Sequence, residues 1–320
     1  MTLKTRKPTG LPSWPIVLIT GPEKSGKSYA AAAASASDLI GRTLWVAIGE
    51  DDPDELGAIE GARFEIVDHS GTYRSILSAL DECQRELAGD EKPGLIVLDS
   101  ATRLWNLLCD EAQVMANIRA KKKNRVVSED GADITVDLWN LAAQRWAHVM
   151  DILRDHQGPS IVTARQDVVT VIDKDGKPTR DKDRKVQAHK SLPFDVGAIV
   201  ELPEPGEAVL TGVRSLRVKN AQVARRPFPK FSVDALWREM GLDGEAADRK
   251  HTAATGEQSV KAEDPVPLIH EIGRLADELG RDKQDIANTW LKHYGHQLAQ
   301  TTDISALTKL RDRLRSEANA

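Results

Sequence analysis

Short apolar runs alternate with segments of helical periodicity along most of the chain. The runs have the length and residue types of buried strands; they lie at 16–20, 43–48, 63–67, 95–98, 160–163, 198–202, 208–211 and 216–218. Helical patterns occupy 29–39, 73–87 and 138–156. Continuous apolar strands that alternate with helices predict the α/β class, with a mostly parallel sheet covered by helices on both faces.

Polar segments flank this α/β core, which we predict to span residues 15–241. Residues 1–14 are polar and contain two prolines and a glycine, which predicts a flexible N-terminal arm. Residues 242–264 have almost no apolar content and are typical of a linker. Apolar residues then recur at helical spacing, so we expect a small helical domain at 265–320 with its last helices near 283–294 and 304–318.

Composition excludes several classes of protein. A hydrophobic content of 40% with 29% charged residues is ordinary for a globular domain that buries a core. No apolar run approaches the roughly 20 residues of a membrane span, and no such run follows the basic N-terminus, so neither a membrane segment nor a secretory signal is expected. The two cysteines cannot form a disulfide framework and suit a reducing cytoplasm. The net charge of −5, taken over the whole chain, argues against nucleic-acid binding.

A phosphate-binding motif follows the first apolar run. Residues 21–28 read GPEKSGKS, which fits G-x-x-x-x-G-K-[ST], and they stand between IVLIT and the helix-forming YAAAAASA. Lys27 should neutralise β- and γ-phosphate charge, and Ser28 should hold Mg²⁺; the alternative is a glycine-rich turn with an exposed lysine. The candidate nucleotide contacts are Gly21, Pro22, Glu23, Lys24, Ser25, Gly26, Lys27, Ser28 and Tyr29.

Two carboxylates end neighbouring apolar runs. Asp99 ends LIVLD and is the candidate second ligand of Mg²⁺, because the carboxyl ends of parallel strands meet at the phosphates. Glu50 ends WVAIGE and is the candidate general base, which with Lys27 would form the catalytic pair. A helix cap at Asp99 and a solvated acidic loop beginning at Glu50 are the alternatives without function.

Three segments and one spacing together resemble the RecA-like recombinase ATPases. The segments are GPEKSGKS, LIVLDSATRL and, at 215–233, SLRVKNAQVARRPFPKFSV. The spacing is the one from Lys27 through Glu50 to Asp99. The resemblance covers roughly 15–240 and is greatest for the compact, phage-type single-strand annealing members. It implies a RecA-like P-loop NTPase core, ATP and Mg²⁺ as ligands, and a homo-oligomer in ring or filament form. It also implies that Lys219 reaches the nucleotide of the neighbouring subunit and that Thr163 or Gln166 senses the γ-phosphate.

Two stretches correspond to the loops that the RecA-like proteins turn toward DNA. The first, at 119–125, contains five basic residues and no acid, namely Arg119, Lys121, Lys122, Lys123 and Arg125. The second, at 166–190, has a net charge of +2 and a predicted hairpin tip at Asp175-Gly176. Neither contains an aromatic residue for base stacking, so phosphate neutralisation would carry the binding. An ordinary solvated face is the alternative for both.

The sequence therefore predicts a Mg²⁺-dependent ATPase that acts on single-stranded DNA in recombination or annealing, in the cytoplasm of a bacterial host. A single-strand-binding protein is a candidate partner for the C-terminal helices. One alternative is a hexameric replicative helicase core in which Arg225 or Arg226 supplies an arginine finger. The other is a nucleotide-dependent switch or scaffold, similar to the KaiC-type regulators, that does not bind DNA.

Overall fold

The structure is a computed structural model that describes residues 3, 5–172, 178–221, 223, 225–252, 265–295, 297–301 and 303–318. Contacts between residues divide the chain into two compact units, Met1–His251 and Thr252–Ala320. Among the helices within these described ranges, none combines the length and apolar character that crossing a bilayer requires.

The first unit is built on a mostly parallel sheet. Its strands are β1 (Ile16–Gly21), β2 (Thr43–Ala47), β3 (Glu65–Ile66), β4 (Leu95–Asp99), β5 (Ser160–Ile172), β6 (Pro178–Val186), β7 (Ala198–Glu201), β8 (Val209–Val213) and β9 (Arg226–Pro227). Their order is β3-β2-β4-β5-β1-β7-β8-β9, and β3 through β7 pair in parallel. β8 and β9 add antiparallel strands at one edge, and β6 pairs antiparallel with the far end of β5. This confirms the predicted α/β class with a mostly parallel sheet.

Helices cover both faces of the sheet. They are α1 (Lys27–Ala34), α2 (Tyr73–Leu87), α3 (Ala101–Lys122), α4 (Val136–Asp155), α5 (Leu192–Asp195) and α6 (Val233–Glu239). Ile16 and Leu18 of β1 pack in one core cluster with α2, α3 and α4, whereas Val17 and Ile19 pack in the other with α1 and α6. Successive side chains of a strand point to opposite faces, so a strand buried on both faces has to be continuously apolar.

Two predicted element types are wrong. Residues 216–218 do not form a strand: Leu216 is fully exposed, and the next strand is β9. Residues 119–122, predicted as the start of a DNA-facing loop, are the last turn of α3. Alanine, lysine and arginine are strong helix formers, and basic side chains at a helix C-terminus also interact favourably with the helix dipole. The predicted hairpin tip at 175–176 lies outside the described residues, although β5 and β6 on either side of it pair antiparallel.

The ends of the first unit are more firmly packed than their composition predicts. Trp14, assigned to the flexible arm, is buried against Trp237 with an edge-on ring contact at 5.6 Å between centroids. Residues 242–251, assigned to the linker, belong to the first unit. Arg249 anchors them by donating hydrogen bonds to the backbone carbonyls of Trp14 and Leu153. Hydrogen bonds to a neighbouring backbone thus hold this polar segment in place. Such bonds cannot be predicted from the apolar content of the segment.

The described part of the second unit contains three α-helices, α7 (Pro265–Glu278), α8 (Lys283–Tyr294) and α9 (Ile304–Ala318). Their apolar faces meet in a small core formed by Ile272, Leu275, Trp290, Leu307 and Leu314. α8 and α9 have the bounds that the helical spacing predicts, because each follows a capping aspartate whose side chain accepts a backbone N–H.

Burial of His156 makes the first unit sensitive to acid. Its Nε2 donates a hydrogen bond to the carbonyl of Gly94 at 2.8 Å, and burial lowers the pKa of the imidazole to about 4 from the ordinary 6.5. The neutral form is therefore favoured in the folded state. Its contribution to stability is present above pH 6.5 and is lost as the pH falls from 6.5 to about 4. The loss should reach about 3 kcal/mol, at 1.36 kcal/mol per pKa unit.

Urea unfolding at several pH values measures this effect. His156→Gln keeps a donor for Gly94 but does not titrate, so its free energy of unfolding should fall less steeply between pH 6.5 and 4 than that of the wild type. Parallel slopes for the two proteins would show that His156 does not contribute to acid sensitivity.

Candidate nucleotide-binding site

Residues 21–29 form the end of β1, a tight loop and the first turn of α1. Gly26, immediately before α1, has a φ of 94°, in the left-handed region that glycine adopts without strain. Gly21 has no space for a side chain, because a β-carbon there would lie 2.4 Å from the carbonyl oxygen of Leu202. The loop thus leads into a helix N-terminus whose free N–H groups favour an anion.

The ammonium group of Lys27 folds back over this loop. Its Nζ donates hydrogen bonds to the carbonyl oxygens of Pro22 at 2.6 Å and Gly21 at 3.2 Å. Burial lowers the pKa of Lys27, and the negative charges of Asp99 and Glu50 offset only part of that effect. A cation in this position, held by weak carbonyl acceptors, is available to a phosphate that enters the loop.

Ser28 and Asp99, the two predicted magnesium ligands, lie in direct contact. The Ser28 hydroxyl donates to Oδ2 of Asp99 at 2.9 Å, and the Thr163 hydroxyl donates to Oδ1. Asp99 is 5% exposed, and this burial raises the pKa of its carboxyl, although both hydroxyl bonds oppose the shift.

A hydroxyl and a carboxylate oxygen are the hard ligands that Mg²⁺ prefers. The remaining coordination positions of a magnesium ion at this point would fall to phosphate oxygens and water. The described ranges contain no group of three or more histidine, cysteine, aspartate or glutamate side chains suited to a metal. The donor set at Ser28 and Asp99 therefore fits Mg²⁺ bound together with a nucleotide.

Glu50 follows β2 and is held by three side chains. Oε1 accepts a hydrogen bond from Ser100 at 2.7 Å and from Nε of Arg165 at 3.2 Å, and Oε2 accepts one from Nη2 of Arg165. Arg103 lies 3.8 Å from the same carboxylate. Burial alone would raise the pKa of Glu50, but the bonds from Arg165 and Ser100 and the two positive charges outweigh it and lower the pKa. The carboxylate is therefore ionised at neutral pH.

The two candidate sensors differ in their surroundings. Thr163 is fully buried and bonded to Asp99. Gln166 stands where the β5–β6 pairing begins, and its buried Oε1 has no donor within the described parts of the chain. Between them lies Arg165, which the sequence places with Thr163 and Gln166 at the end of SIVTARQ but does not pair with Glu50. Arg165 lies where the pairing of β5 with β1 ends, in register with Gly21, the last residue of β1.

Lys219 is not brought to this site. It lies exposed in the turn that precedes Asn220, and no contact recorded for the described residues joins it to Lys27, Glu50 or Asp99. Arg225 and Arg226, the arginines of the helicase alternative, pair within their own protomer with Glu201 and Glu239.

The predicted DNA-contacting residues lie at the far end of α3. Lys121, Lys122, Lys123 and Arg125 are exposed, whereas Arg119 forms an ion pair with Asp137 at the start of α4. The loop that follows carries three acids, Glu129, Asp130 and Asp133. The cluster is therefore accessible, but its positive charge is partly balanced nearby.

The solved structures that resemble the chain include the following two. One is a prototypical ATPase from the type III secretion system of pathogenic bacteria, with 14% identity over 94% of this chain and 83% of that chain and a TM-score of 0.37. The other is a DnaB-like replicative helicase described with its interactions with primase, with 12% identity over 62% of this chain and 52% of that chain and a TM-score of 0.35. No curated protein matches the chain.

A family model described as an AAA domain matches residues 15–201. The matched segment starts just before β1 and ends with the last residue of β7, so it includes the phosphate loop, Glu50 and Asp99. It covers more than half of the 320 residues. The chain therefore belongs to the AAA domain family and contains a nucleotide-binding P-loop ATPase domain.

Proposed function

We propose that the chain is a Mg²⁺-dependent ATPase that acts on single-stranded DNA in phage-type homologous recombination or strand annealing, in the cytoplasm of a bacterial host. The observation that supports this most directly is the arrangement of Ser28, Asp99 and Glu50 beside one phosphate loop. A bound nucleotide there would have a cation, a pair of metal ligands and an ionised carboxylate within reach.

Each of these groups has a role in ATP hydrolysis. The Lys27 ammonium would exchange the carbonyls of Gly21 and Pro22 for oxygens of the β- and γ-phosphates. Mg²⁺, held by Ser28 and Asp99, would neutralise charge on the same phosphates. Thr163 fixes the orientation of the Asp99 carboxylate. Glu50 would accept a proton from the water that attacks the γ-phosphorus.

The DNA half of the proposal is supported by the connection between this site and the basic cluster. α3 begins directly after Ser100, and its 22 residues span about 33 Å at 1.5 Å per residue. Lys121 and Lys122 therefore sit at one end of a continuous helix whose other end adjoins Asp99 and the Ser100 that binds Glu50. Such a helix could transmit a nucleotide-dependent shift to a DNA contact.

The exposure of Lys219 supports the proposed homo-oligomer. Because Lys219 does not meet the phosphate loop of its own protomer, it is free to serve the nucleotide of a neighbouring subunit in a ring or filament. The helicase alternative would instead require Arg225 or Arg226 to leave Glu201 or Glu239. The switch alternative is favoured by one feature, the acids at 129–133 beside the basic cluster.

Replacement of Lys121, Lys122 and Lys123 together by alanine tests the DNA half. Alanine preserves the helix, so folding and nucleotide binding should be retained. Affinity for a labelled oligonucleotide should fall about tenfold or more at low salt. The slope of the logarithm of the binding constant against the logarithm of salt concentration should become shallower by about 2, because three phosphate contacts are lost. Fluorescence anisotropy over a series of salt concentrations measures both quantities.

The matched variant changes charge in the opposite direction. Glu129→Gln, Asp130→Asn and Asp133→Asn together should strengthen binding, because they remove the acids next to the cluster. Absence of binding by the wild type at low salt would favour the switch alternative. Unwinding of a forked duplex would favour the helicase alternative.

A further inference from the structure

A groove lies at the edge of the sheet opposite to the phosphate loop. It has a volume of about 900 Å³ and is lined by the residues that precede β1 and β7 and by those that follow β8. The N–H of Gly197 donates to the carbonyl of Ile16 at 2.8 Å, and the N–H of Arg214 donates to the carbonyl of Gly197 at 2.7 Å. β1 spans about 20 Å at 3.3 Å per residue, so the groove is separate from the nucleotide site.

Positive charge dominates the lining of this groove. Seven arginine and lysine side chains line it, against two aspartates. Asp195 accepts hydrogen bonds from Arg154 and Ser191. Asp248 lies 3.6 Å from Lys250. Both carboxylates are thus already paired, and a local excess of positive charge remains in a chain whose net charge is −5.

Four of the seven cations have no carboxylate partner within the described parts of the chain. All four are exposed, and they are Arg6, Lys7, Arg214 and Arg217. Cations that share one surface without counter-charge repel one another, and a groove focuses their field on a ligand of the opposite sign. The groove therefore suits a ligand that carries several negative charges along its length.

The walls of the groove are held by contacts within the first unit. The N–H of Ala247 donates to the carbonyl of Pro12 at 2.8 Å, and the guanidinium of Arg249 donates to the carbonyl of Trp14. The segments at 12–14 and 247–249 are therefore tied together before a ligand arrives. A site that is already formed loses less free energy to ordering when it binds.

An exposed aromatic ring stands at the same groove. Phe194 is 89% exposed, whereas the other three phenylalanines of the chain pack against a core cluster. Leu192, two residues earlier in α5, is fully buried, so the short helix turns Phe194 outward. Proteins bind single-stranded nucleic acids by combining cations for the phosphates with an aromatic ring on which a base stacks. An acidic peptide has charges for the cations but no planar base for the ring.

We infer that this groove binds single-stranded DNA, with its four unpaired cations on phosphates and Phe194 stacked on a base. The inference rests on the proposed single-stranded DNA substrate but not on the basic residues at the end of α3, which do not line the groove. Because the groove and the phosphate loop lie at opposite ends of β1, a strand bound here leaves the nucleotide site open.

Binding of a labelled oligothymidylate to the full chain, followed by fluorescence anisotropy, tests the charge of the groove. The groove variant combines Arg6→Gln, Lys7→Gln, Arg214→Gln and Arg217→Gln. Its affinity should be about tenfold or more lower at low salt. The slope of the logarithm of the binding constant against the logarithm of salt concentration should become shallower by about 3, at about 0.7 for each lost phosphate contact. Its affinity for ADP should equal that of the wild type.

The aromatic ring has its own signature. Phe194→Ala should weaken binding of the oligothymidylate about 5- to 100-fold and leave the salt slope unchanged, because stacking releases no counterions. It should not affect the duplex of the same oligonucleotide with its complement, whose bases are already stacked. Phe194→Trp keeps an aromatic surface and should retain the affinity of the wild type.

A matched variant separates position from overall charge. It removes four exposed cations that neither line the groove nor belong to the basic residues at 119–125, by the substitutions Arg74→Gln, Arg85→Gln, Lys292→Gln and Lys309→Gln. It has the same net charge as the groove variant. Its affinity for the oligothymidylate should stay within about threefold of the wild type, since distant charges are screened by salt.

Several outcomes would overturn the inference. They are equal affinities of the groove and matched variants, and a Phe194→Ala loss that Phe194→Trp does not recover or that extends to the duplex. Displacement of the oligothymidylate by poly-glutamate as readily as by unlabelled strand would assign the groove to acidic peptides instead. Loss of DNA binding only in the variant of Lys121, Lys122 and Lys123 would overturn the inference and leave the proposed function intact. A wild type that binds no oligonucleotide would overturn both.

Discussion

Replacement of Lys27 by alanine is expected to weaken ATP binding about 100-fold or more and to abolish detectable hydrolysis. The Lys27 ammonium is held over the phosphate loop by the carbonyls of Gly21 and Pro22, where a phosphate that enters the loop would meet it. Each hydrogen bond to a charged group contributes about 1.5–3 kcal/mol, so the loss of two such bonds corresponds to roughly two orders of magnitude or more in affinity. Titration with a fluorescent ATP analogue measures the binding, and phosphate release measures turnover.

Lys24 provides a matched control in the same loop, because its predicted contact with the nucleotide would come from its backbone N–H, which alanine keeps. Its side chain is exposed. Its φ of 54° is equally unfavourable for lysine and alanine, so Lys24→Ala removes a charge without changing the conformation of the loop. Its affinity should stay within a few-fold of the wild type. Equal losses for Lys24→Ala and Lys27→Ala would mean that general positive charge, and not the position of Lys27, attracts the nucleotide.

The buried strands and the phosphate loop could be predicted from the sequence, because each depends on residues that are close together in the chain. β1 and β4 each begin with four consecutive apolar residues because both of their faces are buried, and this pattern is visible in the sequence. The phosphate loop depends on glycines at two positions where a side chain or an ordinary φ cannot be accommodated. The carboxyl ends of the parallel strands then bring Ser28 and Asp99 together without further information.

What could not be predicted depends on contacts between distant residues. Arg165 and Glu50 are 115 positions apart, and their pairing requires the strand order β2-β4-β5 together with the side-chain directions at three strand ends. Arg249 contacts Trp14 across 235 positions, so composition assigned its polar surroundings to a linker. The residues at 119–122 are good helix formers and most of them are also positively charged. The prediction of a loop used the charge, which does not distinguish a helix end from a loop.

The Glu50→Gln variant is expected to bind ATP but to hydrolyse it about 10²- to 10⁴-fold more slowly, the range that a general base contributes. Glutamine preserves the shape of the side chain and can still accept hydrogen bonds from Ser100 and Arg165 through its carbonyl oxygen. It cannot take a proton from water. The effect should therefore appear in kcat, with binding retained, in a steady-state assay of phosphate release.

The acidic residues that follow Glu50 supply the control that separates catalysis from local charge. Glu55 is exposed in the short 3₁₀ helix Pro53–Ala58, so Glu55→Gln removes one negative charge from the same segment. Its kcat should remain within about twofold of the wild type, as expected for a surface substitution that changes only a screened charge. If Glu50→Gln retained wild-type turnover, water activation would have to come from another group. If Glu55→Gln lost as much activity as Glu50→Gln, the acidic segment as a whole would be required, and the position of Glu50 opposite Arg165 would not explain hydrolysis.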